Sequence, residues 1–187
     1  MPYKDKELGR QKKLEYYRLH RMQPGIREKT NEDERRRYAE KHRQKVFIVH
    51  GHDDVSKLEL ARFLFQKGLE PIILHEQPNS GRTIVEKFEK DTLNVEYAFI
   101  LLTRDDLCDG QNFRARQNVI LELGYLWGKL GRHNVCCLYK GEVELPSDIH
   151  GIIYIKFKET IEEVYHKIET ELKKAGIRFK LESPAYQ

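Results

Sequence analysis

Beyond residue 45 the chain alternates between short runs that are apolar almost throughout and longer stretches whose apolar residues recur every three or four positions. The runs are KVFIVHG, EPIILHE, VEYAFILLT, NVCCLYK and GIIYIKF. Rich in Val, Ile and aromatics and lacking an in-and-out alternation, they read as strands covered on both faces, the signature of a parallel sheet. The stretches between them, DVSKLELARFLFQKG, GRTIVEKFEKD, RARQNVILELGYLWGKLG and KETIEEVYHKIETELKKAG, carry helical periodicity. Gly68, Gly131 and Gly176 stand where such helices would stop in a left-handed residue. The fourth connection, GEVELPSDIH, reads as a loop. The sum predicts an α/β fold of the flavodoxin-like type, a five-stranded parallel sheet with helices on both faces and right-handed crossovers. Sheets of this type bind ligands outside the carboxyl ends of the strands, near the point where strand order reverses. That directs attention to residues 50–54, 75–82, 103–112 and 140–150.

Charge divides the chain. Residues 1–45 hold 15 Lys and Arg against 8 Asp and Glu, and the remaining residues hold 19 against 22. A basic extension, 1–45, is therefore expected before a mildly acidic domain, 46–187. The extension reads as two helices, the first over residues 4–22, the second opening at TNEDE and ending in EKHRQK, with acids first and bases last as the helix dipole favours. Few apolar residues support it, so a solvated structural or oligomerisation arm is the preferred reading; its charge also admits nucleic acid or an acidic partner, which is not favoured. No apolar run reaches the ~18 residues of a membrane span, and the N-terminus lacks a signal-peptide core, so a cytoplasmic protein is expected. Cys108, Cys136 and Cys137 form neither a CxxC pair nor a zinc pattern, and the last two read as small core residues.

Familiar phosphate cradles are missing: the chain contains no GxxxxGK[ST] and no GxGxxG. A receiver domain would want an aspartate at the end of the third strand, where Thr103 stands. His50 and His52 flank Gly51 with Asp53 following, too irregular for a metal cage; no metal is expected. This loop could meet a ligand through backbone amides and an imidazole, or His50 could simply end the strand.

The helix RARQNVILELGYLWGKLGR carries the sharpest question. Val119, Leu123, Leu126 and Leu130 form its buried stripe, with Ile120 and Trp127 extending it on one side. Glu122 lies on the opposite border, sharing a strip with Asn118 and Tyr125. A rim acid at this end of the sheet is suited to meet a sugar; a surface Glu paired with Lys129 or an Arg is the equal alternative.

VFIVHGHDD, EPIILHEQPNSGRTIVEKFEKD, YAFILLTRDD, RARQNVILELGYLWGKLGR and LPSDIHGIIYIKF, in that order, resemble the bacterial TIR-like domains, including the TIR effectors of the CBASS and Pycsar anti-phage systems. The resemblance covers about residues 45–176 and leaves out the arm. It implies cleavage of NAD+ between nicotinamide and ribose, with NAD+ as substrate and no cofactor, and it puts Glu122 at the family's catalytic glutamate. Nicotinamide leaves as a neutral base from a cationic ring, so one carboxylate, stabilising the oxocarbenium-like ribose, can suffice. The motif PNSGRT corresponds to the BB loop of TIR domains. There Gly81 allows close approach and Arg82 would meet the diphosphate, unless Arg82 is only a solvated helix start. His50, Gly51, Asp53, Thr103, Arg116 and Asn118 are carried over as substrate-binding residues, although Asn118 could instead cap its helix and Trp127 belongs more to the core than to base stacking. The resemblance further implies homo-oligomerisation through TIR–TIR contacts and activation by a protein or a cyclic nucleotide. The expected function is an NAD+ glycohydrolase effector of anti-phage defence, with ADP-ribose cyclisation as a variant. A non-catalytic nucleotide-binding or scaffolding module is the alternative.

Overall fold

The computed structural model describes residues 43–73, 84–108, 110, 112–146, 151 and 153–179, with positions 11, 12, 15, 33 and 34 of the N-terminal segment. The chain divides into two compact units, Met1–Arg43 and Gln44–Gln187. Apart from those five positions, all helical, the two expected arm helices lie outside the described residues, as do Gly81 and Arg82.

The second unit runs β1 (Lys45–Val49), α1 (Asp54–Gln66), β2 (Glu70–Ile73), α2 (Ile84–Asp91), β3 (Val95–Leu102), β4 (Asp106–Cys108), β5 (Asn112–Arg114), α3 (Gln117–Leu130), β6 (Val135–Lys140), β7 (Ile153–Phe157) and α4 (Tyr165–Lys174). Five strands form one sheet in the order β2-β1-β3-β6-β7, every neighbouring pair parallel. All five apolar runs are strands of this sheet, and the flavodoxin-like expectation holds.

Alternate residues of each strand feed two cores, which is why the runs are apolar throughout. Val46 and Ile48 of β1, Tyr97, Phe99 and Leu101 of β3, and Cys136 and Leu138 of β6 meet Leu60, Phe63 and Leu64 of α1 and Ile168 and Leu172 of α4. On the other face Phe47, Val49, Ala98, Ile100, Leu102 and Cys137 meet Phe88 of α2 and Val119, Leu123 and Leu126 of α3. Cys136 and Cys137 are buried and free, and burial pushes the Cys137 thiol up to about 12, as befits core residues rather than nucleophiles. Gly68, Gly131 and Gly176 adopt φ of 82°, 80° and 76°, the left-handed stops that the pattern implies.

Two features depart from the expected outline. The segment after β3, to which the pattern gave no element, carries the short antiparallel pair β4–β5. The stretch over 158–176 is not one continuous helix: it begins with a 3₁₀ turn, Ile161–Val164, closed by a reciprocal Thr160–Glu163 capping box, before α4. The Glu163 carboxylate accepts the N–H groups of Lys158, Glu159 and Thr160 and is held down at about 2 by them. The GEVELPSDIH connection is irregular over its described part and is stitched to β5 by the Glu144 N–H donating to Phe113 O.

Candidate functional site

Strand order reverses between β1 and β3, since β1 leads to β2 at one edge and β3 leads to β6 toward the other. The segments leaving these strands therefore define the crevice where such sheets take ligands. Its centre is occupied by a side chain that the sequence did not single out, Asp105, whose side chain is 2% exposed. One oxygen accepts the His52 backbone N–H at 2.8 Å and the Thr103 hydroxyl at 3.0 Å; the other accepts the Arg116 N–H at 3.2 Å. The carboxylate packs so tightly over Gly51 that a Cβ there would overlap it, so only glycine fits. Asp105 thus ties the β1–α1 loop to the start of α3.

Four of the expected substrate residues gather around this acid, with different freedom. Thr103 is 3% exposed and its hydroxyl is committed to Asp105. Gly51 supplies room. His50 is half-buried, its Nδ1 2.8 Å from the Gly51 carbonyl and so donating to it. Arg116 is exposed, and its Nη1 lies 3.4 Å from Nε2 of His52. Asp53 stands apart in role. It is the N-cap of α1, accepting the Ser56 N–H at 3.0 Å and the Ser56 hydroxyl at 2.7 Å, and Lys140 at the end of β6 reaches it at 2.9 Å. Burial pulls the Asp53 carboxyl upward, but Ser56 and the Lys140 ammonium together hold it below the ordinary range. With these partners Asp53 braces the loop.

The other side of the site is built by α2 and α3. The Phe88 ring meets the Tyr125 ring at 4.9 Å, and Lys129 Nζ donates to Thr92 Oγ1 at 2.8 Å. Each contact moves four residues along both segments, so the two helices run parallel in matched turns. One turn earlier, the strip of α3 that carries Tyr125 and Lys129 carries Glu122, level with the first turn of α2. The rim position read from the stripe is what the fold produces, and Trp127 and Ile120 pack against the core on the opposite flank. Asn118 lies on the same strip but does not cap the helix: the N-cap is Arg116, without a side-chain cap hydrogen bond.

Glu122 is half-buried, and burial pushes its carboxyl from the ordinary 4.5 up to about 7. Among the described residues no ion pair or hydrogen bond reaches it; Lys129, the partner in the alternative reading, donates to Thr92 and lies over the Tyr125 ring. A desolvated acid with no counterion among the described residues is poised to gain from an arriving cation, because the ligand's charge replaces the missing water. Asn118 stands one turn before it on the same strip, and the first turn of α3 offers N–H donors for an anionic group. Among the described residues no cluster of His, Cys, Asp or Glu is disposed to hold a metal ion, and no helix is long and apolar enough to cross a membrane.

The sequence pointed to this end of the sheet but missed Asp105 and Lys140. Asp105 sits in LLTRDD, two residues beyond the position weighed for a phosphoacceptor, and its partner loop lies about 50 residues away in the chain.

Comparison with known proteins agrees with this architecture. The chain matches the family described as "CAP12/Pycsar effector protein, TIR domain" over residues 45–159. It is 45% identical over 141 residues to the uncharacterized protein YuaY of Escherichia coli K12, covering 73% of this chain and 47% of that protein. It is 39% identical over 141 residues to protein tirC of Dictyostelium discoideum, covering 67% of this chain and 70% of tirC. The CD-NTase-associated protein 12 of Niabella drilacis is 26% identical over 131 residues, covering 64% of this chain and 41% of that protein. Apart from tirC, then, the match spans less than half the length of these relatives. The matched region takes in every strand of the sheet and the helix that carries Glu122, and on that ground the chain belongs to the CAP12/Pycsar effector TIR-domain family.

Proposed function

We propose that this chain is an NAD+ glycohydrolase, a cytoplasmic effector of anti-phage defence that becomes active on assembly with further copies, prompted by a protein or cyclic-nucleotide signal. The observation that carries this reading is Glu122: a desolvated carboxylate with no counterion among the described residues, on the strip of α3 whose Tyr125 and Lys129 meet Phe88 and Thr92. Family membership and the relatives named for association with a CD-NTase support the effector role.

In the reaction the bond between the ribose anomeric carbon and the pyridinium nitrogen breaks, and its electron pair neutralises the ring. Nicotinamide needs no proton to leave. Positive charge develops on the ribose, and the Glu122 carboxylate stabilises it in a poorly hydrated setting where such attraction is strongest. Water adds to the anomeric carbon and gives up a proton, for which a carboxylate with affinity near neutrality is a suitable acceptor. The cationic nicotinamide ring favours ionised Glu122 while bound, so turnover is expected to rise with pH through about 7 or below. The Arg116–His52 pair beside the start of α3 is suited to the diphosphate. Intramolecular capture of the same ribosyl cation in place of water would give a cyclic product.

The test is nicotinamide release from NAD+ by concentrated protein, with and without cyclic nucleotides, beside Glu122→Gln and Glu122→Ala. Release that both folded variants lose supports the reading, and product analysis separates hydrolysis from cyclisation. Equal release by wild type and variants, zero included, overturns it in favour of a scaffolding module.

A further inference from the structure

Lys129 follows Glu122 two turns along α3 and lies within about 20° of the same line on the helix. An acid and a base set three or four residues apart would pair; these two stand about 10 Å apart along the axis and do not. Among the described residues Glu122 has no counterion, and Lys129 contacts the Thr92 hydroxyl and the Tyr125 ring but no carboxylate. We infer that Lys129 is a second electrostatic residue of the cleavage, a fixed cation behind the departing nicotinamide whose repulsion drives positive charge from the ring onto the ribose beside Glu122. The inference rests on the glycohydrolase reading and adds to it where the ring lies.

The ammonium is held in place by a buried partner. Lys129 Nζ donates to Thr92 Oγ1 at 2.8 Å, and Thr92 is 0% exposed. The Thr92 hydroxyl gives its single proton to the Phe88 carbonyl, also at 2.8 Å, which leaves the oxygen as an acceptor for the ammonium. Between the two charges stands Tyr125. Its ring centroid is 5.5 Å from Lys129 Nζ, the Phe88 ring braces it at 4.9 Å, and the residue stays 36% exposed. One strip of α3 thus carries an acid, an aromatic ring and a cation, at steps of about 4.5 and 6 Å along the axis.

The direction of the substrate on this strip follows from charge. The start of α3 favours a negative group, so the diphosphate belongs before Glu122 and the nicotinamide ring extends the other way, toward Tyr125. In the cleavage the bond between the anomeric carbon and the ring nitrogen breaks, and its electron pair stays with the nitrogen. Positive charge leaves the ring and appears on the ribose; water then supplies the hydroxyl group and releases a proton. Lys129 stands near where the charge starts and Glu122 where it arrives, so both favour the same displacement. The share of Lys129 is taken from the bound substrate: it opposes the cationic ring and relents as that ring turns neutral.

A cation that hinders binding and speeds cleavage has a distinctive signature. The full chain, as wild type, Lys129→Met and Lys129→Arg, is titrated by calorimetry with two probes that cannot be hydrolysed. These are carba-NAD+, in which a methylene group replaces the ribose ring oxygen, and its reduced form, whose ring is neutral. The quantity read is the ratio of the two affinities, cationic ring over neutral ring, in which the shared diphosphate cancels. The ratio is expected to rise about fivefold in Lys129→Met, the scale of one unit-charge repulsion in a half-solvated setting, and to stay at the wild-type value in Lys129→Arg. Lys129→Gln, which keeps a donor for Thr92, should match Lys129→Met. In turnover of NAD+, kcat and KM of Lys129→Met should fall together, by about threefold and fivefold. A merely structural lysine would change both probes alike and leave the ratio where it was. A wild type that releases nicotinamide, with a ratio unmoved or lowered in Lys129→Met, overturns the inference and leaves the glycohydrolase reading standing. A wild type that neither releases nicotinamide nor binds carba-NAD+ sinks that reading, and the inference with it.

Discussion

Glu122→Gln should stabilise the protein while abolishing its chemistry. Burial lifts the Glu122 carboxyl from 4.5 to about 7, so the folded chain holds this proton more tightly than the unfolded chain does. Between those two pH values the folded state binds more protons than the unfolded state, and stability falls as pH rises. The favourable contribution is complete below about 4.5 and gone above about 7. At ~1.36 kcal/mol per pH unit the interval corresponds to an upper bound of about 3 kcal/mol. Glu122 is only half-buried, and screening by water reduces the expected effect to about 1–2 kcal/mol. Glutamine has the same shape and no charge to desolvate. Above pH 7.5 the variant should therefore be more stable by about that amount, a rise in Tm of about 3–8 °C for a domain of this size.

The assay is thermal unfolding of the full chain, wild type and Glu122→Gln, from about pH 3.5 to 8.5. The difference in Tm should be close to zero at the acid end, where Glu122 is protonated in both states, and should grow through pH 6–7. Other titrating groups are common to both proteins and cancel. A difference that does not depend on pH, or a variant less stable at pH 8, would refute the claim that Glu122 is desolvated and met by no counterion among the described residues. Nicotinamide release should fall by about 10²–10³-fold in the same variant, the usual scale for removing one group aimed at developing charge.

Three further perturbations probe the frame around the site. Lys140→Met removes the ammonium that braces Asp53 and should cost about 1–2 kcal/mol in urea unfolding at pH 7; because Asp53 is held below its ordinary range, this loss should shrink as pH falls below that range and Asp53 protonates. Phe88→Ala and Tyr125→Ala, taken singly and together, should show a coupling of about 0.5–1.5 kcal/mol from their ring contact, and zero coupling would contradict the matched turns of α2 and α3. Gly51→Ala puts a methyl group into the Asp105 carboxylate and should destabilise by about 2–4 kcal/mol, with an unfolding midpoint equal to wild type as the contrary outcome.

Legibility in the sequence followed the range of the interactions involved. The sheet was readable because each strand is buried on both faces, so burial wrote itself into consecutive residues such as Phe47, Ile48 and Val49. The rim position of Glu122 was readable because it depends only on the angle between that residue and Leu123 or Leu126 along one helix. Its level against α2 was not, since that depends on Tyr125 meeting Phe88, a contact between helices separated by a whole strand. The β4–β5 hairpin escaped because three residues per strand show no periodicity; only the Asp109–Gly110 pair hinted at a turn. Thr160 and Glu163 spelled out a capping box that would have marked the true start of the last helical segment. Asp105 escaped for a deeper reason. Its neighbours in the chain are polar loop residues, and its importance comes from His52 and Gly51, which no local pattern connects to it.

Asp105 and Glu122 stand at the same end of one sheet, and the difference between them separates scaffold from chemistry. Asp105 is almost fully buried, but three donors converge on it, so its charge is matched within the fold and exchanging it would orphan the N–H groups of His52 and Arg116. Glu122 is less buried, yet no described donor answers it, and its affinity for a proton rises instead. A fold that needed only a polar residue at that point of α3 would be more stable with an amide there. On the proposed function the cost persists because a carboxylate unanswered among the described residues can be completed by an incoming positive charge, and the more completely the protein satisfied it, the less it could give to that charge. On that proposal the acid that the sequence pattern left on the rim is the one free to act, and the acid hidden in the crevice is the one that keeps the surrounding donors in place.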